Sequence, residues 1–149
     1  DLAVAGETTR FGEPEVRFGS GIVAMLAPYV IGPKQAKELL LTGNDKVTAD
    51  RCYQMGILNQ VVADGAEMEA ALELANQIVN AAPRSVQMTK AAIHRAYELA
   101  EMRTALREAL ETDIKIEADE SPERVEFNRI RKDQGLKAAL AWRNTKTAG

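Results

Sequence analysis

The sequence predicts an α/β protein in which short strands come first and a helical region follows. Two observations support this. Residues 1–65 hold short apolar runs separated by glycine and proline, and residues 66–149 hold longer amphipathic patterns. Short alanine- and valine-rich runs are typical of buried strands, whereas apolar residues three and four positions apart indicate helices that bury one face. We therefore expect an α/β portion at 1–65 and a helical portion at 66–149.

In the first portion, strands are predicted at both ends. Residues 1–6 form an alanine- and valine-rich stretch, and residues 57–62 form a second apolar run that starts after a glycine. Between them, an apolar run at 22–31 predicts a helix that Pro28 shortens or kinks, because proline lacks the N–H that an inner helical turn requires.

Two further helices of this portion are marked by their end residues. Gly32-Pro33 restarts the chain, since proline suits a first helical turn, and the helix continues over 34–42 with Gly43 as its C-cap. Thr48 is a suitable N-cap for a shorter helix, and Gly56 a suitable stop.

The second portion is predicted to be helical throughout. Apolar residues recur at helical spacing from Met68 to Ala82, and Pro83 ends that helix and begins the next. A third stripe repeats every four residues at Met102, Leu106, Leu110 and Ile114. Ser121-Pro122 begins a fourth helix, and Gly135 separates a last one at 136–143.

The segment FGEPEVRFG at 11–19 holds the leading candidate for a chemical role, Glu15. We expect Glu15 on a short extended stretch that leads through a glycine turn into an apolar helix. Pro14 has a fixed φ and keeps Glu13 out of helical space. A carboxyl group held between apolar neighbours favours its protonated form, which suits a general acid or base. An ordinary surface charge in a turn is the alternative interpretation.

Composition excludes several classes of function. The net charge of −3 gives no electrostatic reason to expect a nucleic acid or an anionic membrane as partner, and no apolar run is long enough to span a bilayer. The single cysteine, Cys52, rules out an internal disulfide and fits a reducing compartment such as the cytoplasm. We expect Cys52 to be a buried structural thiol. The lone His94 has no metal-ligating partner at a suitable spacing, so no metal site is expected.

Two stretches, FGEPEVRFG and KQAKELLLTGNDKVTADRCYQMGILNQVV, together resemble the enoyl-CoA hydratase/isomerase (crotonase) superfamily. The family's phenylalanine-glycine-x-proline-glutamate segment is matched by Phe11, Gly12, Pro14 and Glu15. Its leucine-leucine-threonine-glycine helix end is matched by Leu40, Leu41, Thr42 and Gly43. The order and spacing of these matches cover the chain strongly up to Val62 and more loosely beyond.

The resemblance implies a crotonase-like α/β fold, represented mostly by its C-terminal portion. Asp1–Ala5 resembles a family strand, and the resemblance implies that the first catalytic glutamate and both oxyanion-hole N–H groups precede that strand. We therefore expect a fragment without the N-terminal half. The family's C-terminal helices build trimers or dimers of trimers, which fits amphipathic faces too large for this chain to cover alone. A self-contained helical bundle is the alternative.

The same resemblance implies a chemistry. Glu15 matches the second catalytic glutamate, which delivers a proton to C2 while water attacks C3 of a 2-enoyl-CoA, as in the hydratases of fatty acid metabolism. No metal or redox cofactor is expected, because coenzyme A enters with the acyl-CoA substrate. The substrate-contacting residues expected from the match, with a plain core role as the alternative for the last three, are Gly19, Ser20, Gly21, Ile22, Met25 and Leu26. Trp142 and Arg143 are expected at the CoA nucleotide, although the family's phenylalanine position there is Ala139.

One departure from the family pattern leaves the reaction open. The loop after Glu15 is shorter than in most members and lacks their proline and several of their glycines. That loop borders the reacting carbons, so double-bond isomerisation or thioester hydrolysis by the same scaffold remain alternatives to hydration. A non-catalytic oligomerisation fragment and an unrelated helical adaptor are the alternatives from other classes.

Overall fold

A computed structural model describes residues 1–21 and 26–146 of the chain. The strands are β1 (Val4–Gly6), β2 (Arg10–Phe11), β3 (Val47–Thr48) and β4 (Gln60–Val62). The helices are α1 (Ala27–Thr42), α2 (Ala49–Met55), α3 (Glu67–Val79), α4 (Pro83–Leu99), α5 (Met102–Ala118), α6 (Pro122–Gln134) and α7 (Leu136–Thr145). A 3-10 turn, Glu15–Phe18, lies between β2 and α1 and is called the Glu15 turn below. The predicted α/β fold class is confirmed.

The strands form two small pairs. β1 lies parallel to β4, with Val4 opposite Gln60, and β2 lies antiparallel to β3, with Arg10 opposite Thr48. β1 and β4 occupy only the ends of the predicted strands at 1–6 and 57–62. β2 and β3 were not predicted, because two residues each are too short to show a period-two pattern.

The end residues act as predicted. Gly32 adopts φ 77° and ψ 162°, which interrupts α1 just before Pro33, and only glycine reaches this region without strain. Thr48 Oγ1 accepts a hydrogen bond from Arg51 N at 3.2 Å, and Ser121 Oγ accepts one from Arg124 N at 3.3 Å. The predicted helix over 22–31 begins outside the described residues, since 22–25 are not described, and Pro28 stands in the first turn of α1.

A first core joins α1, α2 and the strands. Its buried members are Ala5, Ile31, Ala36, Leu39, Leu40, Val47, Ala49, Cys52, Met55 and Leu58. Cys52 is completely buried, as predicted, and burial raises the pKa of its thiol. Helix α3 packs against both β1 and β4, so the parallel pair is covered by a helix from the second half of the chain.

A second, smaller core holds the C-terminal helices to the Glu15 turn. Phe127 and Ile130 of α6 and Ala139 of α7 are buried in it, and Phe18 of the Glu15 turn packs against them. Elsewhere the apolar faces of the long helices stay uncovered, with Val79 74% and Met68 71% exposed. Leu110 and Ile114 of α5 are also exposed, so this chain leaves apolar surface uncovered, as the helical patterns predict.

No helix among the described residues combines the length and the apolar character that crossing a bilayer demands.

Candidate active site

The Glu15 turn begins where Pro14 stops the extended chain. Pro14 has φ −84° and ψ 4°, and its carbonyl accepts a hydrogen bond from Arg17 N at 2.9 Å. The turn ends at Gly19, whose φ of 74° reverses the chain and brings Ser20 N within 3.1 Å of the Glu15 carbonyl. Glu15 therefore lies at the start of a 3-10 turn. The predicted extended stretch at this residue was wrong, because the hydrogen bond from Arg17 N to the Pro14 carbonyl folds the backbone into a turn at Glu15.

An aromatic contact and an ion pair hold the turn in place. The rings of Phe18 and Phe127 stack, with centroids 4.7 Å apart and planes 20° from parallel. One residue earlier, Arg17 Nη1 lies 3.4 Å from Asp45 Oδ1 in the loop after α1. Both contacts reach across the fold, so the position of Glu15 depends on α6 and on the α1–β3 loop.

Asp45 also receives the side chain of Arg143 from α7. The Arg143 guanidinium forms an ion pair with Asp45 Oδ2, and its side chain is only 7% exposed. One carboxylate is thus shared by two arginines from distant parts of the chain. The predicted CoA contact Arg143 is buried in this pair, a contact that no local sequence pattern indicates.

The carboxyl group of Glu15 is partly buried and incompletely paired. Its Oε2 atom is inaccessible to solvent and accepts no hydrogen bond from any N–H or O–H group that the structure describes. The carboxyl group of Glu13 lies near that of Glu15. Burial raises the pKa of Glu13, and the negative charge of Glu15 and the hydrogen bond between the two groups raise it further.

The predicted substrate loop, Gly19–Gly21, comes directly after the Glu15 turn. The carboxylate of Glu117 on α5 accepts hydrogen bonds from the Ser20 hydroxyl and, at 3.1 Å, from Gly21 N. These bonds, with the Ser20 hydroxyl first, hold the pKa of Glu117 below its usual range, and Arg124 of α6 forms an ion pair with the same carboxylate. Gly21 is buried, and a Cβ there would overlap the carboxylate of Asp113. The loop is therefore fastened to α5.

Three further predicted substrate residues follow this loop in the sequence. Ile22 and Met25 lie outside the described residues. Leu26 is the residue before α1 and is 49% exposed. Its side chain is available to a ligand or to another protein surface.

An apolar cavity of about 320 Å³ opens beside the loop. Ser20 and Gly21 form part of its wall, and the remainder comes mainly from apolar side chains of α1 and α5, including Leu40, Leu41 and Ile116. This volume lies within the range of small-molecule sites. The structure thus brings Gly21 and Ser20 together with an apolar space next to the Glu15 turn.

The aromatic residue expected at the CoA nucleotide lies near the end of α7. Trp142 packs at a tilt against Phe127, with ring centroids 6.5 Å apart, and the ammonium group of Lys146 lies 4.7 Å from the Trp142 ring centroid. A cation over an indole ring is a favourable contact. Trp142 therefore packs against the second core.

The last residues to consider are those that could bind a metal ion. His94 is exposed, and its Nε2 lies 3.8 Å from Asp1 Oδ1. Within 1–21 and 26–146, no group of three or more histidine, cysteine, aspartate and glutamate side chains is arranged to hold a metal ion.

Sequence reasoning missed three residues that shape the site, namely Asp45, Glu117 and Arg124. Glu117 binds a loop 96 positions away, and Arg143 binds Asp45 from 98 positions away. No residue spacing within a short stretch of sequence can indicate contacts over such separations. The available signal was that each of the three lies within three residues of a helix end.

The chain is similar in sequence to known proteins. The family model described as enoyl-CoA hydratase/isomerase matches residues 1–129. A short-chain-enoyl-CoA hydratase of Clostridium acetobutylicum is 35% identical over 103 residues, which cover 66% of this chain and 38% of that protein. A carnitinyl-CoA dehydratase of Salmonella typhi is 37% identical over 94 residues, covering 60% of this chain and 35% of that protein.

A solved structure aligns over nearly the whole chain. It is an enoyl-CoA hydratase/isomerase from Xanthobacter autotrophicus Py2, with a TM-score of 0.91 and 43% identity over 98% of this chain and 54% of that one. The chain therefore spans about half the length of this structure and less than half of the curated relatives.

Proposed function

The chain belongs to the enoyl-CoA hydratase/isomerase family, and we propose that the protein containing it hydrates the C2–C3 double bond of a 2-enoyl-CoA, with Glu15 as an acid–base residue. The observation that carries the proposal is the Glu15 carboxyl group, held at the start of a fastened turn with a buried Oε2 that no described donor satisfies. A buried acceptor without a donor is costly in a folded protein, and a catalytic role is one reason for a protein to keep such a group.

In the proposed reaction, Glu15 delivers a proton to C2 as water adds to C3. The resemblance assigns removal of the water proton to a glutamate in the half of the family fold that these residues do not include. The same half would supply the two backbone N–H groups that stabilise the thioester enolate. Coenzyme A arrives as part of the substrate, and the proposed chemistry is acid–base catalysed addition of water, with no metal or redox cofactor.

The acyl chain is proposed to lie along the Gly19–Gly21 loop and in the apolar cavity beside it. The volume of the cavity, about 320 Å³, and its wall of α1 and α5 side chains fit a short acyl group. Leu26, Ile22 and Met25 follow the loop and remain proposed contacts. Trp142 and Arg143 remain proposed for the CoA nucleotide, and Arg143 would first have to leave Asp45.

Assembly with further copies of the chain is part of the proposal. The uncovered apolar side chains of α3, α4 and α5, such as Met68, Ile93 and Ile114, support a homotrimer or a dimer of trimers. The alternatives of isomerisation, thioester hydrolysis or a purely structural fragment stay open, because the shortened loop borders the reacting carbons.

The decisive test replaces Glu15 with glutamine in a preparation that also supplies the first half of the family fold. We expect hydration of crotonyl-CoA, followed by the loss of ultraviolet absorbance of the conjugated thioester, to fall by about 10²–10⁴-fold. Glu73→Gln, at an exposed glutamate of α3, is the matched control and should leave the rate unchanged.

Unchanged turnover in Glu15→Gln would refute the assignment. Two parallel assays separate the alternatives. Release of free CoA thiol would identify a hydrolase, and conversion of a 3-enoyl-CoA into the conjugated 2-enoyl-CoA would identify an isomerase.

A further inference from the structure

Glu117 of α5 joins the substrate loop to two helices of the second half of the chain. The Ser20 hydroxyl and the Gly21 N–H both donate to its Oε1 atom, the second over 3.1 Å. Its Oε2 atom forms an ion pair with Arg124 of α6, and both of these side chains are half-buried. Hydrogen bonds to a charged acceptor are stronger than those between neutral groups, so this carboxylate is a firm attachment for the loop.

The loop also lies too close to these helices for larger residues. A Cβ on Gly21 would overlap the carboxylate of Asp113, one helical turn before Glu117 on α5. A Cβ on Gly19 would overlap Ser121 Oγ at the start of α6. The position of the loop is therefore set by direct contact with α5 and α6 at both of its ends.

α5 forms part of the wall of the apolar cavity as well. Ala109, Thr112 and Ile116 line the cavity from α5, and Ser20 and Gly21 line it from the loop. The three α5 residues are three and four positions apart, so they share one face of the helix. Because the loop and α5 bound the same space, the bonds that hold them together determine how wide the cavity is.

Ser20 connects this attachment to the proposed acid–base residue. Its backbone N–H donates to the Glu15 carbonyl over 3.1 Å, while its hydroxyl donates to Glu117. One residue thus joins the Glu15 turn to α5. A movement of the loop away from α5 would widen the cavity and would reach the Glu15 turn too.

We propose that Glu117 is a positioning residue that determines acyl-chain selection, because it holds the Gly19–Gly21 loop against α5 and keeps the cavity narrow enough to favour a short acyl chain. The inference rests on the proposed function and names the part of that site that selects the substrate. Without this carboxylate the loop loses both bonds, the cavity widens, and longer chains are accepted more readily.

The test compares two substrates in a preparation that also supplies the first half of the family fold. The quantity measured is the kcat/KM for crotonyl-CoA divided by that for 2-octenoyl-CoA, whose acyl chain is twice as long. We expect Glu117→Ala to lower this ratio by about tenfold or more, since a single methylene in an apolar pocket already changes selectivity by about 10–200-fold. Glu117→Gln keeps an acceptor oxygen and should retain most of the ratio. Glu111→Ala, at an exposed glutamate of the same helix, is the matched control and should leave the ratio unchanged.

The ratio separates positioning from a general loss of stability. A smaller folded fraction lowers the rates for both substrates by the same factor and leaves the ratio as it was. Ser20→Ala removes one of the two bonds and leaves both helices unaltered, so it should lower the ratio by a smaller factor and provides the answer if Glu117→Ala does not fold. A ratio equal to that of the unsubstituted enzyme in the folded variants would overturn the proposal.

The selection can also be measured without any reaction, as the ratio of the Kd values of butyryl-CoA and octanoyl-CoA in isothermal titration calorimetry. A preparation whose Kd ratio changes in Glu117→Ala, but which hydrates no enoyl-CoA, would support the role of Glu117 and refute the hydratase. A hydratase with the same ratios before and after the substitution would refute the role of Glu117 and leave the hydratase in place.

Discussion

Replacing Arg143 with methionine removes one of the two cations on Asp45 while keeping most of the apolar length of the side chain. Arg143 is 7% exposed and Asp45 is 25% exposed, so the pair is largely but not fully withdrawn from water. Breaking a fully buried ion pair costs about 3–5 kcal/mol, and an exposed pair about 0–1 kcal/mol. Because Asp45 keeps Arg17 at 3.4 Å and some access to water, we expect a loss below the buried limit.

The expected loss is about 2–3 kcal/mol in the free energy of unfolding, measured by urea titration with an unchanged m-value. For a chain of this size, that corresponds to a fall in Tm of about 5–10 °C. The control is Arg131→Met, at an exposed arginine of α6, for which we expect a change within about 0.5 kcal/mol.

A double-mutant cycle with Asp45→Asn isolates the interaction. If the pair is real, the two substitutions together cost less than the sum of their separate effects, with a coupling of about 1 kcal/mol or more. Additive effects, or an Arg143→Met variant as stable as the control, would refute the reasoning. A rise in KM for the enoyl-CoA with no loss of stability would instead support direct contact of Arg143 with CoA.

Two other predictions concern the loop and the thiol. Hydrogen bonds from Ser20 and Gly21 lower the pKa of Glu117, so its contribution to anchoring the loop is present above the unfolded glutamate pKa of about 4.3 and is lost as pH falls through the lower folded value. Hydrogen exchange at the Gly21 amide should therefore show protection that disappears on acidification, and Glu117→Ala should lack this protection at every pH. Equal protection in both proteins would contradict the anchoring role. Cys52, fully buried and with its pKa raised by burial, should react with a thiol reagent only after unfolding in urea, and rapid reaction in native buffer would show that the first core is open.

Local chemistry was sufficient to predict most of the helix ends. Gly32, Thr48 and Ser121 act through bonds and dihedral angles within a few residues, and the structure has each of them in its predicted role. The short strands were harder, since β2 and β3 exist only because Arg10 and Phe11 meet Thr48 and Val47 from far along the chain.

The amino-acid sequence by itself determined the fold class, the helical second half and Glu15 as the residue to test, because these depend on periodicity and on a motif contiguous along the chain. Only the tertiary structure decided that Glu15 lies in a 3-10 turn, that Glu117 binds the loop at Ser20 and Gly21, and that Arg143 is buried against Asp45. Contacts between residues nearly a hundred positions apart arise from how helices pack, and charge pairing depends on which side chains are withdrawn from water together. No pattern within a local window carries that information.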